Sequence, residues 1–256
     1  MIIPGFTMLI DDKDIEEFGI RLVNYETSSY VGRKSIGVDI PGAHGTQSVP
    51  SALSTSTFFA DVVCTGKDAD EVQTRVRQFF AYMYSTQDSH KIVFTNDLGV
   101  VRYAILDSPD KYKVISGMDG AFAQIKLTFL MRDPFMYQNE TDKMVTAAVH
   151  KKEIVLVNEA FECPAVFKIQ NIGTTKITGI GLIVNGELAN FSCELNPGDT
   201  LVLDTVEYEV KFNGTSRLDY WEGEMPTLKN GDNVIYQQNS QHTELLLTVE
   251  FTKQWV

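Results

Sequence analysis

One long alternating segment near the middle of the chain constrains the fold more than any other. Ala121, Ala123, Ile125, Leu127, Phe129 and Met131 fall on one side, with Gln124, Lys126, Thr128 and Arg132 among those on the other. Strict period two is the mark of an antiparallel strand with one buried face. The strand stops at Asp133, which the following Pro134 biases away from helix. Phe135 and Tyr137 come next, one residue apart, almost at the midpoint of 256 residues. Before this point strands mix with one clear helix; after it only strands and turns are found. The junction is therefore read as a boundary between two modest domains, 1–133 and 134–256.

In the first half, Asp68-Ala69-Asp70-Glu71 opens a helix. Asp68 can cap it, and Glu71 three residues on completes a capping-box-like pattern. Val72, Val76, Phe79, Phe80 and Met83 then recur at helical spacing, which predicts a helix over about 68–84 with one apolar face on a sheet. Thr57–Thr65 reads as a strand. Asn96-Asp97-Leu98-Gly99 makes a turn between strands at 91–95 and 100–106. Residues 31–51 are different. Gly32, Gly37, Pro41, Gly42, Gly45 and Pro50 mark turns or an extended excursion, either a surface loop or an arm that packs on a neighbouring subunit.

In the second half, short β-like runs recur about every ten residues. They lie at 144–149, 153–157, 164–170, 177–184, 191–195, 200–204, 208–212, 233–238 and 244–251. Asn185-Gly186, Asn196-Pro197-Gly198-Asp199 and Asn213-Gly214 punctuate them, and Asn-Gly tolerates the positive φ of tight hairpins. A sandwich or jelly roll is the expected architecture.

Composition narrows the function. The formal charge is −12, with 13 basic and 17 acidic residues before Gln138 and 9 and 17 from there on. Such a chain is not built to hold nucleic acid by neutralising phosphates. No run of 18 apolar residues occurs, so no membrane span is read, and the first residues lack the pattern of a secretory signal. Cys64, Cys163 and Cys193 are odd in number and have no C-x-x-C spacing, which argues for free buried thiols. His44, His90, His150 and His242 show no metal-ligand spacing, and no nucleophile, Walker or dinucleotide motif is present. No metal, cofactor or catalytic role is expected. Trp221-Glu222-Gly223-Glu224 is the one sugar-like signal: Trp221 could stack on a sugar while Glu224 accepts its hydroxyls. The alternative is a Trp that seals a sandwich edge.

Three further features occur in order. They are Pro41-Gly42-Ala43-His44-Gly45, the Phe129-x-x-x-Asp133-Pro134-Phe135-x-Tyr137 junction, and Leu228-x-x-Gly231-x-Asn233-x-Ile235 before a last strand ending at Trp255. The Asn171-x-Gly173 turn and the Gly198-Asp199 turn accompany them. In this order the chain resembles the distal tail proteins (Dit) of siphophages that infect Gram-positive bacteria, components of the phage tail tip, or baseplate.

The resemblance implies a mainly β fold. A sandwich or barrel-like first domain with one helix would form a ring, and a galectin-like second sandwich would point outward. Six copies would close around a channel that DNA crosses only in passage. A belt from each copy would reach its neighbour, with 31–51 as the matching segment and Arg33, Lys34, Pro41 and His44 as interface candidates. Asp133, Pro134, Phe135 and Tyr137 would anchor the domain junction. The ring would join the tail-tube protein to the tail-associated hub protein and, in some phages, carry receptor-binding protein. The protein would be made in the host cytoplasm and reside in the virion. The alternative reading is a carbohydrate-binding adhesion module of a phage particle.

Overall fold

The computed structural model describes residues 6–27, 31–39, 46–86 and 88–256. The chain divides into two units, residues 1–137 with Val256, and residues 138–255. It is mainly β, with one α-helix among the described residues.

In the first unit the alternating segment forms the strand Gly120–Met131, and all six of its predicted core residues are buried. It pairs along its length with Ser56–Gly66, from Ala121 opposite Gly66 to Met131 opposite Ser56. Its other edge is shared by Val114–Gly117 and Val100–Pro109. The sheet runs in the order Lys13–Asp14, Met8–Ile10, His90–Phe94, Val100–Pro109, Gly120–Met131, Ser56–Gly66, Ile20–Thr27. Apolar rows on these strands meet the helix Ala69–Met83, whose Val72, Val76, Phe79 and Met83 are buried in the same core. The Asp68 carboxylate accepts from the Glu71 N–H at 2.8 Å. The return bond of a capping box is displaced by one residue, because Glu71 takes the Lys67 N–H, also at 2.8 Å.

In the second unit a six-stranded and a five-stranded antiparallel sheet share one core. The first runs Asp142–Ala148, Leu245–Phe251, Ala165–Gln170, Thr200–Asp204, Glu209–Phe212, Thr215–Ser216. The second runs Ile154–Asn158, Gly231–Gln238, Ile180–Val184, Glu187–Phe191, Trp221–Gly223. Phe167, Leu201 and Leu247 from one sheet and Leu182, Phe191 and Ile235 from the other are buried in that core, as in a β-sandwich. Asn185-Gly186 and Asn213-Gly214 make two-residue hairpin turns with positive φ at both positions.

The run expected at 191–195 is a correction. The strand is Glu187–Phe191, which begins directly after the Asn185-Gly186 turn. Cys193 and Leu195 stay buried, but this stretch pairs only by a single bridge from Leu195 to Ile177. Side-chain alternation alone does not distinguish such a stretch from a ladder. The two-residue strand Thr215–Ser216 and the three-residue strand Trp221–Gly223 had no pattern long enough to read.

Candidate functional site

Two strands of the arm-like segment pair with each other. Arg33–Asp39 pairs antiparallel with Thr46–Leu53, from Arg33 opposite Leu53 to Asp39 opposite Thr46. Lys34 lies opposite Ala52 and Ile36 opposite Val49, so Pro50 and Ser51 share the space facing Ser35. This is a β-bulge, a place where a proline without an N–H costs no ladder bond. Eight extended residues reach about 26 Å. Among the described residues the two strands form a sheet of their own, joined to no other. An isolated two-stranded ribbon is at best marginal in water, and both of its outer edges present unpaired backbone groups. Arg33 and Lys34 lie at the base of the ribbon. Pro41 and His44 lie outside the described residues.

The segment that follows the long strand is held locally. The Asp133 carboxylate accepts from the Phe135 N–H at 3.3 Å and from the Tyr137 hydroxyl. Pro134 fixes φ between them, and the Tyr137 ring meets Tyr103 edge-on at 5.8 Å. Burial, then the adjacent carboxylate, pushes the Tyr137 hydroxyl pKa well above that of a free tyrosine. These contacts account for residues 134–137 remaining with the first unit.

The motifs that carried the resemblance in the second half are structural. Asn171 is buried; its amide donates to the Thr175 and Leu195 carbonyls at 2.8 and 2.9 Å and accepts from the Gly173 N–H at 2.9 Å. Asn233 is also buried. It donates to the Lys229 and Gly231 carbonyls and accepts from the Lys229 N–H and the Asn185 amide. Buried amides pair so completely because an orphaned one costs about 1–3 kcal/mol.

Trp221 and Glu224, expected together at a sugar, are placed differently. Trp221 stands on an edge strand directly opposite Phe191, and its ring packs against the sandwich core. Glu224 is exposed beyond Gly223. All three cysteines are free and buried, and burial with the nearby Glu162 pushes the Cys163 thiol up to about 11. Among the described residues no cluster of His, Cys, Asp and Glu could hold a metal, and no helix is long and apolar enough to cross a membrane.

Residues 13–131 match the family model described as the phage tail protein RIFT-related domain. No curated protein matches the sequence. Among solved structures, the chain is similar to the SPP1 Dit protein, described as a paradigm of the hub adsorption apparatus in phages that infect Gram-positive bacteria. The likeness covers 98% of this chain and 99% of that one, with a TM-score of 0.76 and 14% identity. A chain of the phage P2 baseplate in its activated conformation is more distantly similar, with a TM-score of 0.42, 11% identity and 97% of each chain covered. The resemblance read from the motifs therefore stands. Residues 13–131 match that family model, and the whole chain has the fold of the SPP1 Dit protein.

Proposed function

We propose that this chain is a structural hub protein of a phage tail tip, whose copies close into a ring and do no chemistry. The observation that carries this reading is the match of the first unit to a phage tail domain within a chain that follows the Dit fold from end to end. The physical support is the ribbon at 33–53. A two-stranded sheet with free edges gains stability by lying on another subunit, and a head-to-tail contact of this kind closes when the rotation between copies allows it.

In this reading the first unit forms the ring, six copies surround a channel, and Arg33 and Lys34 begin the belt that reaches the next copy, with Pro41 and His44 further along it. The second, galectin-like unit faces outward. One face of the ring meets the tail-tube protein and the other the tail-associated hub protein, with receptor-binding protein as a further partner. An acidic chain suits a conduit, because DNA that must pass is not held by neutralised phosphates. The protein acts in the virion, after synthesis in the host cytoplasm, and needs no cofactor.

Negative-stain imaging of the purified protein tests the reading. Rings with a central hole are the expected particles. Single compact particles at every micromolar concentration would contradict it.

A further inference from the structure

Arg102 is a buried cation with donors to spare. It stands on the strand Val100–Pro109, opposite Ile92, and is only 4% exposed. Its Nε and Nη1 have no acceptor among the described residues. The guanidinium lies over the Phe94 ring at 5.3 Å. Burial pulls its pKa down, and the nearby Tyr25 and Asp97 counter this only in part. A buried donor without a partner loses its hydration and gains nothing in return. Within one chain, then, Arg102 is a cost to folding rather than a support.

The same side chain lines a narrow cleft of about 10 Å³, together with Val31, Ser56, Thr57, Phe58 and Met131. That is room for about one water molecule. The tip of a carboxylate fits such a space, whereas a sugar ring or a phosphate does not. Val31 and Ser56 set the cleft at the root of the ribbon. Arg33–Asp39 begins just after Val31, and Thr46–Leu53 ends just before Ser56. The Ser54 N–H donates to the Gly32 carbonyl at 2.8 Å and closes that root.

The complementary charge lies at the other end of the ribbon. Asp39 is the one acidic residue in the sequence 31–53. It pairs with Thr46, at the end of the ladder away from Arg33 and Leu53. Six residues of strand put it about 20 Å from the root, so the ladder holds it away from the Arg102 of its own chain. We propose that Arg102 receives the Asp39 carboxylate of a neighbouring copy, so that the far end of one ribbon meets the root of the next. This pairing rests on the ring reading given above. A carboxylate supplies the charge-assisted acceptor that the guanidinium lacks. A contact from ribbon end to ribbon root is heterologous, the kind that repeats from copy to copy and closes a ring. The site is complete only when a second copy contributes to it.

The test reads native mass against concentration for the full-length wild type, Arg102→Met, Asp39→Asn and the double variant. Each single change should raise the concentration at which half the chains are assembled by about tenfold or more. The double variant should raise it no further than either single change, because both remove the same contact. A melting temperature at or above that of the wild type shows that Arg102→Met is folded. Asp39→Asn alters the ribbon alone and gives its reading independently of the core around Arg102. If the wild type assembles and either single variant assembles at the same concentration, the pairing is overturned and the hub reading stands. Additive effects of the two changes mean separate partners and overturn it as well. A wild type that stays a single chain overturns the hub reading, and the pairing with it.

Discussion

Asn233 uses both atoms of its side-chain amide, and it is buried at the start of a long strand. Asn233→Ala would orphan the Lys229 N–H and the Lys229 and Gly231 carbonyls together. A loss of about 2–4 kcal/mol is expected in chemical denaturation of the second unit; a loss below about 0.5 kcal/mol would mean water replaces the amide freely. Arg102 makes the opposite case. It is only 4% exposed, its Nε and Nη1 have no acceptor among the described residues, and burial pulls its pKa down. The guanidinium rests over the Phe94 ring at 5.3 Å, which offsets only part of that cost. Arg102→Met should leave stability unchanged or raise it by about 1–2 kcal/mol.

Asp11 gives a pH dependence. Burial alone would raise its pKa, but hydrogen bonds from His90 at 2.6 Å, from the Lys91 N–H and from Tyr82 outweigh it, and the carboxyl is held below its ordinary 3.8. A depressed folded pKa means stability that is present above about pH 4 and lost as pH falls through the folded value. Asp11→Asn should flatten that acid limb in melts run from neutral to acid pH. None of these roles was legible in the sequence. Asn233 and Asn171 stood out only as members of a pattern, since single residues carry no record of which distant carbonyls they meet.

At the scale of elements the sequence was more informative. The helix was legible because its cap and its apolar stripe agree, and the strand Gly120–Met131 because six buried residues alternate without a break. Asp68→Ala should cost about 1 kcal/mol in thermal or chemical unfolding of the first unit, with no effect on the second. The ribbon at 33–53 could be read only as an excursion. Pro50 marks where it bulges, but its pairing is set by a register that no period-two apolar pattern announces. The short edge strand at Trp221 was hidden for a related reason. Three residues are too few to show alternation, and Trp221 consequently looked like half of a site with Glu224.

For the whole molecule, the order of elements suggests two domains, because the one predicted helix stands before Asp133-Pro134 and only strands are expected after it. The chain divides into compact units after Tyr137, whose hydroxyl donates to the Asp133 carboxylate. Assembly belongs to this scale. It is inferred from a ribbon with free edges and from the match of residues 13–131, which include it, to a phage tail domain.

The most direct measurement is the native mass of the full-length protein beside a variant in which residues 33–53 are replaced by a short Gly-Ser linker. Six times the 28.7 kDa of one chain is predicted for the wild type, and a shift toward single chains that still unfold cooperatively for the variant. A wild type that stays monomeric at micromolar concentration, or a variant that keeps the full assembled mass, would contradict the account.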